Sequence, residues 1–316
     1  MTRDVSLGVV APLSGDQWAG AEPRQLNRLV RAIEDLGFDS LWANDSLFGP
    51  RLEALTFLTA AASVSERITL GTAALLPALR RPVQTAQALA SLDLLSHGRL
   101  IVGVGAGFPG ASQREYVLSQ VPWPRRFHRL DDTVALWRQL WAGEGPDEFR
   151  GATISLEGLP DCIAPATRGG PPVWLAGDTP NARLRAGTGY DGWLPYPPTP
   201  KRYAAGLDEV MTAARGTGRA HSDVTPALFV TVLITDASDG GRAALERFTK
   251  ATYGYPLRIM EQIQTFATGP AEQVAAALAG YVDAGARHLV CRSATLTLGD
   301  FHDQLKALQQ IHEAFR

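Results

Sequence analysis

The residues best placed to do chemistry in this chain sit where short apolar runs end in small residues. Ala176-Gly177-Asp178-Thr179-Pro180 follows one such run and opens a stretch of helical spacing. The first N–H groups of a helix have no internal partners, so this turn could receive an anion such as a phosphate. The same residues also read as a tight turn capped by Asp178 or Thr179, and the charge of Asp178 would compete with an anion for those N–H groups. Gly103-Val104-Gly105-Ala106-Gly107 has the spacing G-x-G-x-G. A dinucleotide turn needs G-x-G-x-x-G with a helix directly after it, so that label is rejected. The segment reads as backbone that lets a flat ligand come close, or as a tight turn. Asn44-Asp45-Ser46 ends another run. Asp45 there could orient a polar ring edge or move a proton, or it could cap the next loop. Arg292 ends the last apolar run, where a guanidinium could pair with a carboxylate or with an anionic substrate.

The six histidines are His97, His128, His221, His288, His302 and His312, and no two have metal-ligand spacing. HExxH, CxxC and G-x-S-x-G are absent, so no metal is expected. His128, in the segment after the fourth strand, could reach a site, with a solvated helix position as the competing reading. Trp18, Trp193, Tyr196, Tyr253 and Tyr255 fall near strand ends, where aromatic walls would suit a planar ligand.

These residues are spaced by a repeated strand–helix rhythm. The predicted strands are Val5–Ala11, Phe38–Ala43, Ile68–Ala74, Leu100–Val104, Val173–Ala176, Gly192–Leu194, Ala227–Thr235 and Leu289–Cys291. Between them lie helical patterns such as Pro82–Leu95, Arg126–Trp141 and Thr199–Ala214, with longer excursions after the fourth and seventh strands. Eight such units predict a (β/α)8 TIM barrel with insertions after strands 4 and 7, formed by residues 1–316 as one domain. A barrel puts function at the strand carboxyl ends, which gathers Pro12–Trp18, Asn44–Phe48, Ala73–Pro77, Gly105–Gly110, Gly177–Thr179, Pro195–Pro198, Thr235–Ser238 and Arg292–Thr295.

Composition narrows the function classes. The formal charge of −2, with no run of five like charges, gives no support to nucleic-acid or polybasic membrane binding. Two distant cysteines, Cys162 and Cys291, make no disulfide framework, and the first residues are wrongly flanked for a signal peptide. No apolar stretch approaches transmembrane length. A reduced, cytoplasmic protein is the expectation.

Several segments occur in the order found in bacterial luciferase-like oxidoreductases, and the chain resembles that family along essentially its whole length. They are Gly37-Phe38-Asp39-Ser40-Leu41-Trp42, Gly71-Thr72-Ala73-Ala74, Arg81-Pro82 with Ala90-Ser91-Leu92-Asp93, Gly98-Arg99-Leu100 through Gly107, Pro172 through Gly177, Asp191-Gly192-Trp193 and Gly269 through Val274. The resemblance implies a barrel that works as a homodimer and binds reduced FMN or the deazaflavin coenzyme F420 at the strand carboxyl ends. It implies that Ala176–Thr179 hold the cofactor phosphate with Trp193 beside it, and that Gly105, Ala106 and Gly107 approach the ring. A non-prolyl cis peptide behind the ring would fall at Ala73-Ala74. The chain departs from the family at Ser46, where a histidine is usual beside Asp45, and at Asp178-Thr179, where Gly-Ser is usual. The leading expectation is a monooxygenase that takes reduced FMN from a separate reductase and passes oxygen to a small organic substrate, with Asp45, Arg292 or His128 assisting. The alternatives are an F420-dependent hydride-transfer enzyme and a catalytically silent flavin-binding protein.

Overall fold

The computed structural model describes residues 5–18, 22, 24–143, 145, 147–237 and 239–315; Ser238, expected at a strand end, lies outside them. The chain runs β1 (Ser6–Val10), α1 (Arg24–Asp35), β2 (Ser40–Ala43), α2 (Ala54–Ala62), β3 (Thr69–Leu75), α3 (Pro82–Leu95) and β4 (Leu100–Val104). An excursion follows with α4 (Ala111–Leu118), α5 (Arg126–Ala142) and a hairpin of β5 (Glu148–Arg150) and β6 (Ser155–Glu157). Regular alternation resumes with β7 (Val173–Ala176), α6 (Pro180–Gly189), β8 (Gly192–Leu194), α7 (Pro200–Gly216) and β9 (Thr225–Ile234). The second excursion holds α8 (Arg242–Tyr253), α9 (Leu257–Met260) and β10 (Phe266–Gly269), before α10 (Ala271–Asp283), β11 (His288–Ser293) and α11 (Leu298–Phe315).

Parallel pairing runs β1-β2-β3-β4-β7-β8-β9-β11 and closes on β1, so eight strands form a barrel ringed by helices. Both insertions fall where the spacing placed them. β10 is the element that sequence periodicity missed. It pairs parallel with the far end of β9, Phe266 to Thr231 through Gly269 to Ile234, outside the closed ring. Phe-Ala-Thr-Gly carries no apolar run, and only the unusual length of β9 exposes an edge for it. β8 is short and occupies only the start of that edge, at Thr225 and Pro226.

Strand side chains alternate between two environments. Leu7, Val9, Leu41, Ala43, Leu228 and Val230 face the helices. Val10, Trp42, Ala73, Trp174, Leu194, Ala227 and Val290 fill the barrel interior. Gly71 lies against the Trp42 ring, in space that a Cβ would claim. At the amino end of the barrel, His288 Nε2 lies 2.7 Å from Ser40 Oγ, which also accepts from Trp42 Nε1 at 2.7 Å. His288 is edge-on to Trp42 and Trp174. The interior is therefore a packed floor, and only its carboxyl mouth is open to a ligand.

Burial lowers the pKa of His288 to about 4 from the usual 6.5. The folded state thus holds the neutral ring, and the unfolded state takes up a proton first as pH falls below 6.5. Stability from this group is intact above pH 6.5 and is lost on descent toward pH 4. Between pH 7 and pH 5 the loss is about 2 kcal/mol. His288→Gln is expected to remove that share of the acid sensitivity. Urea unfolding of both proteins at the two pH values measures it, and equal slopes for the two would locate the sensitivity in other groups.

Candidate active site

The carboxyl ends of β3, β4 and β7 form a shallow floor of small side chains. The Ala73–Ala74 peptide bond is cis. A Cβ built on Gly105 would lie 3.6 Å from Ala74 Cβ and 3.9 Å from Ala176 Cβ, in ordinary contact. Leu76 Cδ2 completes the surround at 4.0 Å, so bare backbone at Gly105 keeps this floor low. Ala106 and Gly107 answer to a different neighbour. Ala106 is buried and its carbonyl accepts from Tyr116 Oη at 3.0 Å. Gly107 has φ +82°, and a Cβ there would come within 2.7 Å of Ser112. These two residues are shaped by α4 packing on them, in place of the direct ring approach expected for all three.

The turn after β7 is a tight turn capped by one of its own side chains. Thr179 caps α6, its side chain accepting from Ala182 N at 3.2 Å. Gly177 has φ +128°, a backbone few other residues adopt, and its carbonyl accepts from Trp193 Nε1 at 2.9 Å. Trp193 is fully buried and stacks on Tyr203 outside the barrel. β8 alternation turns Trp193 to the helical layer, so it lies beside the turn and braces Gly177 from behind. Asp178 is clamped by Arg183 Nε at 3.1 Å and Arg202 Nε at 2.8 Å. Tyr196 borders this cluster, and burial followed by the Asp178 charge pushes its phenol pKa up.

Asp45 does not meet Arg292. Its side chain is 7% exposed and pairs with Arg80 Nη2 at 2.8 Å, while Leu76 N donates to it at 3.1 Å. Burial pushes the Asp45 carboxyl pKa up, and Arg80 pulls it back. Arg80 also holds Glu53 at 2.7 Å. Beside it, Ser46 Oγ donates to Glu115 Oε1 at 2.6 Å, and Leu47 N donates to the same oxygen at 2.8 Å. Glu115 is buried on α4, so the first insertion is fastened to the β2 turn. Glu115→Ala removes a carboxylate that accepts two hydrogen bonds and is expected to cost about 2 kcal/mol of stability, read by urea unfolding. A change below about 0.5 kcal/mol would mean that the fastening adds little.

Arg292 follows inward-facing His288 and Val290 by the two-residue strand period, so it points into the mouth. Its Nη1 donates to Tyr253 Oη at 3.1 Å, and its guanidinium lies 5.2 Å from the Phe248 ring centre. With Arg51, Asn44, Gln17 and Ser14 it lines a small polar cleft of about 20 Å³, room for about one water. Among the described residues neither Arg51 nor Arg292 has a carboxylate at ion-pair distance. Burial lowers the Arg51 pKa, and the Arg292 charge adds to this. Thr231, opposite Arg292 in register, is buried and its hydroxyl has no hydrogen-bond partner among the described residues. The insertions meet nearby: a Cβ on Gly110 would lie 3.2 Å from Tyr255 Oη.

His128 is corrected as a site residue. It is exposed on the first turn of α5, a helix that packs on α3, away from the side chains gathered at the mouth. Sequence reasoning missed Arg51, Arg80, Glu115, Arg183 and Arg202. Only Arg183 carried a local signal, one helical turn beyond the Asp178 turn; the others come from loops and helices far from their partners in sequence.

A parallel eight-stranded barrel with a small-residue floor and polar side chains at its mouth defines the class. The chain belongs to the luciferase-like monooxygenase family, whose sequence profile matches residues 5–288, and it is a luciferase-like oxidoreductase. F420-dependent glucose-6-phosphate dehydrogenase of Amycolatopsis mediterranei (strain U-32) is 29% identical, over 92% of this chain and 93% of its own. An F420-dependent secondary alcohol dehydrogenase, solved in complex with an F420-acetone adduct, superposes with a TM-score of 0.83 at 20% identity, covering 99% of both chains. Monooxygenase RslO1 from Streptomyces bottropensis superposes at 0.80 with 21% identity, covering 96% of this chain and 98% of that one. The two structures establish the fold. No helix among the described residues is long and apolar enough to cross a membrane.

Proposed function

We propose that this protein is an F420-dependent oxidoreductase that moves a hydride between the deazaflavin and a small organic substrate. The similarity to an F420-dependent dehydrogenase over nine-tenths of both chains carries this reading. The expectation of FMN and dioxygen gives way to it, since relatives that match in sequence are described as F420-dependent. The floor of Ala74, Gly105 and Ala176 suits a planar ring of either kind, so the floor supports a cofactor and the relatives favour which one.

When bound, F420 supplies a ring carbon that gives or takes a hydride. The chain supplies position, dryness and proton handling. Ala74, Gly105 and Ala176 bear the ring, and the Gly177–Thr179 turn receives the phosphate. Arg292 and Arg51 hold an acceptor or anionic group of the substrate in the cleft. In place of the family histidine, the Ser46 hydroxyl stands between the mouth and the Glu115 carboxylate. A proton from a substrate hydroxyl passes to Ser46 Oγ as Ser46 gives its own to Glu115, and the reverse reaction returns it. The two insertions keep water from the ring. A separate F420-using enzyme restores the redox state of the coenzyme.

The test is to titrate the protein with F420 and FMN, then to supply alcohols and sugar phosphates with bound F420 and follow the deazaflavin absorbance. Tight F420 binding with substrate-dependent reduction is expected. Tight FMN binding together with oxygen consumption, and no response to F420, would return the assignment to a monooxygenase. Binding with no turnover in any combination would mark a silent flavin-binding protein.

A further inference from the structure

We propose that Asp178 sets which coenzyme the turn after β7 accepts, favouring a phosphate with one negative charge over one with two. This rests on the reading above, in which the Gly177–Thr179 turn receives the cofactor phosphate.

Asp178 stands where the chain leaves β7, and its side chain is only 8% exposed. Arg183 Nε donates to its Oδ1 at 3.1 Å, and Arg183 Nη2 donates to its main-chain carbonyl at 3.0 Å. Arg202 Nε comes within 2.8 Å of Oδ2, an ion-pair contact without hydrogen-bond geometry. Oδ2 is therefore a buried carboxylate oxygen that accepts no hydrogen bond among the described residues. Arg183 carries a second acid, Glu209, at 2.8 Å. Two guanidiniums thus face two carboxylates, and the cluster holds no spare positive charge. The helix start is also partly used, because Thr179 already takes the Ala182 N–H.

The two candidate coenzymes differ at this point. The phosphate of FMN is a monoester, with a second pKa of about 6 and a charge of about −1.5 to −2 at pH 7. The phosphate of F420 is a diester and carries a single charge. Repulsion from a fixed carboxylate grows in proportion to the charge brought near it, and solvent screens little at a side chain this buried. A neutral cluster that contains a buried anion therefore offers no charge to balance the second charge of the monoester, which is left uncompensated beside Asp178, while the diester brings only one. Riboflavin, which carries the flavin ring without the phosphate, separates any preference of the ring floor from that of the turn.

The experiment measures dissociation constants by fluorescence titration for F420, FMN and riboflavin, which has the flavin ring and no phosphate. The proteins are the unmodified chain, Asp178→Asn and Asp178→Ser, with melting temperature as the check on folding. In both variants FMN is expected to tighten about tenfold or more, F420 by roughly the square root of that factor, and riboflavin by less than about twofold. Arg202→Gln, which leaves the carboxylate with one fewer cation, is expected to act in the opposite direction and weaken FMN further. If FMN does not respond to Asp178, or riboflavin tightens as much as FMN, the proposal is overturned while F420 binding still upholds the functional reading. If the unmodified chain binds FMN tightly and F420 not at all, both fall together.

Discussion

Gly105→Val is expected to weaken F420 binding at least about a hundredfold, roughly 2.8 kcal/mol, while the protein stays folded. The Cβ of the new side chain would meet Ala74 and Ala176 at 3.6 and 3.9 Å, so it enters without a clash. Its two methyls then project over the floor where the ring is to lie. Gly105 keeps an ordinary backbone, with its N–H on Leu75 O at 2.9 Å, and an extended segment accepts valine readily. Gly177 is the less informative position. Its φ of +128° would strain any side chain, so Gly177→Val would mix loss of fold with loss of binding. Titration with F420, beside a melting curve, measures the effect. Unchanged affinity in a folded Gly105→Val protein would move the ring away from this floor.

The second large effect is expected at Arg292. Arg292→Ala should lower kcat/KM about a hundredfold, equivalent to one or two charge-assisted hydrogen bonds of roughly 1.5–3 kcal/mol each. The guanidinium has no carboxylate partner among the described residues, shares its cleft with Arg51, and faces the orphan hydroxyl of Thr231. The Arg292 charge lowers the Arg51 pKa while Asp45 and Glu115 oppose that shift, so a substrate acceptor would give Arg292 the direct partner it lacks among the described residues. Its contacts with Phe248 and Tyr253 position the group, and their loss costs little stability at a half-buried site. Steady-state kinetics with a melting curve separates the two roles. A large fall in melting temperature with near-normal kcat/KM would make Arg292 a support for the second insertion.

Strand–helix alternation was legible because it is a local property. Buried parallel strands need short apolar runs, and each run here ends in proline, glycine or a polar residue. Arg292 could be placed at the mouth because it ends the last apolar run, and the inward Val290 two residues before it gives its direction. The small residues at 105, 176 and 177 marked where backbone must stay bare. Gly107 shows how far that signal goes: the same residue type answers there to α4, and the sequence could not tell a ligand from a neighbouring helix.

What the sequence determined by itself, then, is the eight-unit barrel and the set of strand ends that face its mouth, since both follow from periodicities over a few residues. Tertiary structure alone decided which charges meet there. Asp45 finds Arg80 across 35 residues, and Ser46 finds Glu115 across 69. Asp178 takes Arg202 from the next helix of the ring, while Arg292 meets no acid at ion-pair distance among the described residues. The reason is physical: a strand's inward face is set by its own pleat, whereas the partner of a loop carboxylate is whichever cation the folding of several distant loops brings within about 3 Å, before solvent can serve it instead.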